Sequence, residues 1–362
     1  MLLASATGLL VAIGPAWQAA HATSTKPAKP VRTDKAKADV QPLYAGREEI
    51  RAFASDVAGR RGLDAAWVEK QLAQARRQPS VQRLIMPPPA GTAKNWAAYR
   101  DRFVEPQRIS AGAAFWQAHA SWLQRAEDRF GVPADIVVGI IGVETFYGRH
   151  MGSFRTIDAL ATLTFDFPTG RRDRSAFFRS ELEEFLVLSQ REGFDPQGTR
   201  ASFAGAMGLP QFMPGSINRY AVDFDGDGHI DLHASAADAI GSVAHYLAEF
   251  GWQRGMPTHY EVAVPVDVTD RAALLAPDIL PSFSAGQFEE RGAVLDPAGR
   301  DHEGLLALVM LENGAAAPTH IAGTANFYAI TRYNWSSYYA LAVITLGEAV
   351  KRQRTATPSR PP

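Results

Sequence analysis

The sequence predicts a mainly α, α+β protein, and three observations carry that reading. Apolar residues recur at helical spacing along most of the chain, and Ile136 to Val143 is apolar on nearly every face. One stretch rich in Pro and Gly breaks the pattern with alternating valines. With 46% hydrophobic and only 21% charged residues among 362, the chain can bury a sizeable core, which excludes wholesale disorder. A formal net charge of -1 argues against a nucleic-acid binder driven by counterion release. There is no cysteine, so disulfides, thiolate zinc sites, cysteine nucleophiles and an acylated N-terminal cysteine are all excluded.

The elements follow in chain order. Residues 1–22 read as a signal peptide: an apolar heart at Leu9-Leu10-Val11-Ala12-Ile13, the breaker Gly14-Pro15, then a small-x-small cleavage site at Ala20-His21-Ala22. A basic flank is missing, so an uncleaved anchor is the alternative, which the Gly-Pro interruption disfavours. Residues 23–43 are polar, proline-bearing and basic, the composition of a solvated linker. Ile50, Phe53, Val57, then Leu63, Trp67, Val68 and Leu72 recur at helical spacing, and Pro87-Pro88-Pro89 ends that section. A long helix is expected over about Ala111 to Phe130, closed by Gly131, with Pro133 opening the next at its first position. Alternation from Val262 to Val268 around Pro265 predicts a strand, inside a candidate β-containing insert from Gly255 to Pro318. Helical spacing returns from Tyr338 to Val350, and residues 352–362 read as a disordered tail.

Three clusters carry chemistry. The apolar run ends at Glu144, where desolvation and the negative end of the helix dipole both disfavour a charged carboxylate. A carboxyl still protonated near neutral pH serves as a general acid; a Glu144 paired with Arg149 at the edge of the core is the structural alternative. The second cluster, Ser202 to Pro214, combines small residues and a Gly-Leu-Pro turn with Ser202 and Gln211 as hydrogen-bond donors, and packing alone also explains such a loop. The third, Asn326 to Tyr339, mixes aromatic faces with amides and hydroxyls, which suits sugar rings and also suits a buried helix start.

Together, Val138 to Thr145, Ser202 to Pro214 and Thr331-Arg332-Tyr333-Asn334 resemble the membrane-bound lytic murein transglycosylase B family. Lys94-Asn95-Trp96, Gly112 to Trp116, Asp158 to Leu163 and Asp238 to Val243 extend the resemblance over residues 44–351. It implies a lysozyme-like core (about 121–254 and 319–351), an added helical domain (about 44–120) and the β-containing insert (about 255–318). It also implies cleavage of the β-1,4 bond between N-acetylmuramic acid and N-acetylglucosamine, with 1,6-anhydromuramoyl ends as product. Glu144 becomes the single catalytic acid and base; Ser202, Gln211, Tyr333, Asn334 and Tyr339 become saccharide-groove candidates. Arg174 is a candidate for a stem-peptide carboxylate or a solvated surface residue, and Phe177 stands where the family often has Tyr.

The implied partner is the peptidoglycan glycan strand, not nucleic acid, with cell-wall synthesis or division proteins as candidate protein partners and a monomer as the expected state. Without a lipoprotein cysteine, the expected location is the Gram-negative periplasm, soluble after signal cleavage. A water-using muramidase with Asp158 or Asp166 as second carboxylate, and a non-catalytic wall-binding scaffold, are the competing functions.

No cofactor is expected for catalysis. A structural Ca²⁺ is the open question, because Asp223, Asp225, Asp227, His229 (through its carbonyl) and Asp231 fall at alternating positions of an EF-hand-like loop with Gly228 at its turn. Ala234 stands at the twelfth position, where a bidentate Glu belongs, so a metal-free Asx-rich turn is the alternative.

Overall fold

The computed structural model describes residues 43–87 and 94–356; the expected signal peptide, almost all of the expected linker and the end of the expected tail lie outside the described residues. The described residues divide into two compact units, one of residues 94–147 and 240–356, the other of 43–87 and 148–239.

In the first unit the apolar helix Ala134–Thr145 is buried along its whole length from Ile136 to Thr145. It lies against the C-terminal helix Ser337–Ala356, and Pro106–Ala118 packs on both. The crossing is close because glycine faces backbone: a Cβ on Gly139 would strike the carbonyl of Val343, and one on Gly347 the carbonyl of Asp135. The long helix expected over residues 111–130 is two, Pro106–Ala118 and Ala120–Phe130, broken at His119, whose ψ of 25° leaves the helical region. Gly131 closes the second at φ 75°, as expected, while Pro133 sits one residue earlier than expected, as the extended cap before Ala134.

The β structure of this unit is a four-stranded antiparallel sheet in the order Val294–Leu295, His259–Ala263, Ala316–Gly323, Ala307–Asn313. Its inner face buries Phe288, Leu274, Leu306 and Leu308. The strand expected over 262–268 is shifted to His259–Ala263, because Pro265 has no N–H to continue a ladder. The C-terminal helix runs through Ala356, past the point where the tail was expected to begin.

The second unit is built on Thr156–Phe165 against Ser175–Glu192, with Glu48–Arg61 and Ala65–Ala73 packed together beside them. Buried Asp158 ties the layers: it accepts from the backbone N–H of Arg76 at 2.8 Å and from Gln78 at 3.1 Å, and pairs with Arg155 at 2.7 Å. Asp166 accepts from the Tyr44 hydroxyl at 2.7 Å and pairs with Arg47 at 2.9 Å. Among the described residues no helix is long and apolar enough to cross a membrane.

Candidate active site

Glu144 is the next-to-last residue of its helix and is 6% exposed. The helix stops there because Phe146 and Tyr147 both take left-handed conformations, φ 52° and 56°, which cost energy for residues with side chains. Packing pays that strain: the Arg108 guanidinium lies 4.6 Å from the Phe146 ring centre, and Tyr147 stacks on Phe115 at 5.4 Å. The turn therefore ends the helix abruptly and fixes Glu144 at its C-terminal end.

Tyr339, fully buried and 195 residues away in sequence, donates its hydroxyl proton to Glu144 Oε1 at 2.6 Å. Tyr333 stacks on Tyr339 at 6.2 Å and 15°, and Tyr246 meets Tyr333 edge-on at 5.0 Å. The Tyr246 hydroxyl in turn donates to the backbone carbonyl of Arg332 at 2.8 Å, which fixes the chain just before Tyr333 and Asn334. Burial pushes the Glu144 carboxyl up to about 8, with the Tyr339 hydrogen bond pulling the other way. Burial also holds the Tyr333 and Tyr339 phenols well above their usual range, so Tyr339 stays a donor. Among the described residues Glu144 makes no ion pair, so the paired-carboxylate alternative is not realised.

Asn334 follows directly. It is 8% exposed, and its side-chain Oδ1 is buried without a hydrogen-bond partner among the described residues. A buried amide oxygen left unpaired costs about 1–3 kcal/mol, which a bound group able to donate to it would recover. The first unit thus brings Glu144, Tyr339 and Tyr333 together, with Asn334 next to Tyr333 in the chain.

The second unit holds the other candidates. Ser202 begins a tight loop: its Oγ accepts from the Ala206 N–H at 3.1 Å, leaving its own proton to donate. Met207 and Phe212 exchange backbone hydrogen bonds at 2.8 and 3.1 Å, closing the loop. Gln211, at φ 51°, directs its amide N–H groups to the carbonyls of Gly208 and Met151, so only its carbonyl oxygen is left for a ligand. Arg174 is not a solvated surface residue. It is 9% exposed, its Nε and Nη2 are buried without partners among the described residues, and Phe177 and Phe178 lie 4.7 and 5.6 Å from its guanidinium. Burial first, then the nearby Arg171 and Arg172 charges, lower its pKa.

Carboxylate oxygens of Asp223, Asp225 and Asp227 lie within 4.8 Å of one another, a grouping of hard, like-charged donors that fits a divalent cation. Asp231 is turned aside, accepting from the backbone N–H groups of His233 and Ala234 at 2.8 and 3.0 Å. Buried Asp238 bridges the loop by accepting from Phe224 and Asp231 N–H at 2.7 and 2.9 Å.

Two buried acids of the Ser175–Glu192 helix escaped the sequence reading, Glu181 and Glu183, the latter paired with Arg60 and Arg61. Glu181 is 6% exposed and accepts from the Gly215 N–H at 2.8 Å; burial pushes its carboxyl up to about 7, against the lowering effects of that N–H and of the Arg219 charge. The signal was present, since Glu181 falls between Phe178 and Leu182, Phe185 on the helix's apolar stripe.

A buried acid with a raised pKa and a tyrosine donating to it, on a mostly helical core, is an arrangement suited to cleaving a glycosidic bond. Comparison with known proteins agrees. Residues 45–348 match the family described as Transglycosylase SLT domain, and the chain belongs to that family. It is 39% identical over 320 residues to membrane-bound lytic murein transglycosylase B of Escherichia coli (strain K12), covering 86% of this chain and 85% of that one. The structure is similar to soluble lytic transglycosylase SltB1 from Pseudomonas aeruginosa, with TM-score 0.77, 40% identity, and 85% and 99% of the two chains covered. It is also similar to the Escherichia coli lytic transglycosylase Slt35 in complex with calcium, with TM-score 0.74, 37% identity, and 88% and 98% covered.

Proposed function

We propose that the chain is a lytic murein transglycosylase that cleaves the β-1,4 bond between N-acetylmuramic acid and N-acetylglucosamine with Glu144 as its single acid and base. The observation that carries this reading is the setting of Glu144. Burial and one neutral phenol set its ionisation, and no other carboxylate takes part. At neutral pH it holds the proton that the leaving 4-oxygen needs. As that proton moves and the C1–O4 bond breaks, the muramoyl 2-acetamido group stabilises the anomeric centre, so no carboxylate nucleophile is required. Glu144, now ionised and held by Tyr339, takes the proton from the 6-hydroxyl as its oxygen bonds to C1. The proton taken restores the acid, the 1,6-anhydro ring closes, and no water is consumed.

A water-using glycosidase needs a second carboxylate as nucleophile or base. The two candidates, Asp158 and Asp166, are each held by an arginine and further hydrogen bonds that tie helices together. Within the first unit Asn334 orients the acetamido group or Glu144 and Tyr333 binds saccharide; the second unit contributes Ser202 and Gln211 as saccharide-binding residues of its own and Arg174 for a stem-peptide carboxylate.

Digestion of purified peptidoglycan with the native chain and with Glu144→Gln, followed by mass spectrometry of the sugars, tests the reading. Anhydromuramoyl ends from the native chain alone are expected. Reducing ends would make the enzyme a hydrolase, and binding without cleavage would make it a scaffold.

Two finer readings belong here. The Leu9 to Ile13 heart and Ala20-His21-Ala22 support export to the periplasm and cleavage after Ala22. Asp223, Asp225 and Asp227 would hold a Ca²⁺ that braces the loop and takes no part in catalysis; the relative Slt35 is known in complex with calcium.

A further inference from the structure

Trp335 lies in the connection between the Ala325–Tyr333 and Ser337–Ala356 helices, directly after Asn334 and four residues before Tyr339. Tyr339 donates to Glu144 and Asn334 directly follows Tyr333, which stacks on Tyr339, yet Trp335 itself is 41% exposed. A tryptophan on a surface connection usually wastes apolar area and flexes. This one does neither. The Arg332 guanidinium sits 5.3 Å from its ring centre, and the Tyr328 ring meets it at 6.0 Å and 82°. Arg332 is itself anchored, donating to the Tyr328 hydroxyl at 3.3 Å and lying 5.4 Å from the Phe250 ring. The backbone is tied as well, with the Ser336 N–H donating to the Asn334 carbonyl at 2.6 Å.

The ring is therefore ordered in advance, with a substantial part of its aromatic surface left in solvent. Ordering it on binding costs little, so most of the contact energy appears as affinity. A pyranose suits that surface: its C–H face covers an aromatic ring while its hydroxyl and acetamido edges reach polar groups. The neighbouring Asn334 amide, buried with its oxygen unpaired, is such a group.

Resting on the transglycosylase reading, we infer that Trp335 is a substrate-binding residue that stacks on a sugar ring of the glycan strand beside the scissile bond. It sets affinity and chain-length preference without touching the reacting atoms.

The test compares native chain, Trp335→Ala, Trp335→Leu and Trp335→Phe on soluble glycan strands freed of stem peptides, with anhydro ends as the readout. An aromatic–sugar stack predicts that Trp335→Ala and Trp335→Leu raise KM about tenfold with kcat within about twofold, and that Trp335→Phe recovers most of the loss. Leu restores apolar bulk without an aromatic face, so the Leu–Phe pair separates stacking from simple packing even where the Ala variant melts early. An unchanged KM in both the Ala and Leu variants, or a loss confined to kcat, overturns the inference. If the native chain itself forms no anhydro ends, the transglycosylase reading fails instead, so the two failures are distinguishable.

Discussion

Glu144 and Glu181 are buried to the same extent, 6% exposed each, and burial raises both carboxyls, to about 8 and about 7. What differs is the company each keeps. Glu181 is tied to a backbone N–H at the start of the Pro214–Tyr220 helix and feels the Arg219 charge. Moving its proton would disturb a helix start. Glu144 has one side-chain phenol on one oxygen and no other partner among the described residues. Under the proposed function its proton leaves and returns while the backbone around it stays satisfied. A raised pKa alone does not single out a candidate acid; the set of partners separates Glu144 from Glu181.

The sharpest way to break this comparison is to neutralise each acid. Glu144→Gln should lower the rate of anhydro-end formation by about 10³-fold or more, since removing a general acid that is also the base leaves only binding. Glu181→Gln should stay within a few-fold of the native chain, because the amide oxygen still accepts from Gly215. Comparable losses from the two variants would show that burial, not partner chemistry, had been misread as function.

Stability against pH provides the next largest effect, with the same sign for both acids. Each is protonated when folded and ionises near 4.5 when unfolded, so the unfolded chain holds fewer protons between 4.5 and the folded value. Stability contributed by these groups is intact below about pH 4.5 and falls as pH rises, to about 7 for Glu181 and about 8 for Glu144. Replacing Glu144 by Gln removes that loss, which at pH 8 should gain on the order of 4 kcal/mol over the difference seen at pH 4. Urea midpoints at the two pH values measure it. An equal difference at both would mean that Glu144 ionises freely in the folded protein.

Tyr339→Phe asks how much the single phenol matters. Loss of one hydrogen bond to the reacting group should cost about tenfold in kcat. The bond lowers the Glu144 pKa, so its removal should carry the alkaline limb of the pH–rate profile upward. A limb that stays in place while the rate falls would make Tyr339 a packing residue.

How much of this was legible in sequence follows from how local each cause is. The apolar run before Glu144 states its own burial, and a carboxyl at the end of such a run has to be desolvated whatever surrounds it. The Tyr339 contact spans 195 residues and depends on glycines that let two helices meet, which no local pattern reveals. The break at His119 has no Gly or Pro to announce it, and the helical spacing on either side runs straight through. Pro265 did announce a strand boundary, but its missing N–H places the end of the ladder before it, not beyond it. In Asn326 to Tyr339 the mixture of aromatics and amides was readable. Which of them faced solvent was not, because the Trp335 ring is placed by Tyr328 and Arg332 rather than by its own neighbours.

The loop aspartates, Asp225 and Asp227 exposed and Asp223 half-buried, carry the comparison to its opposite limit and to its smallest effect. Asp223 is held below the usual carboxylate range, chiefly by the Gly228 N–H and with help from Gly226 and Asp227, so it is ionised at any pH where the enzyme works. Charge here is stabilised by backbone donors and water, and a cation gains from three such groups within 4.8 Å. With Ala234 in place of a bidentate Glu, affinity should fall in the weak, millimolar range, so 10 mM Ca²⁺ should raise Tm by only about 2–5 °C. Asp225→Asn should abolish the rise. Anhydro-end formation at 25 °C should be the same with Ca²⁺ or chelator if the proposed ion only braces the loop, because burial alone raises the Glu144 carboxyl. A rise that survives Asp225→Asn would place the ion elsewhere, and a rate that follows Ca²⁺ at constant Tm would move the loop from brace to participant.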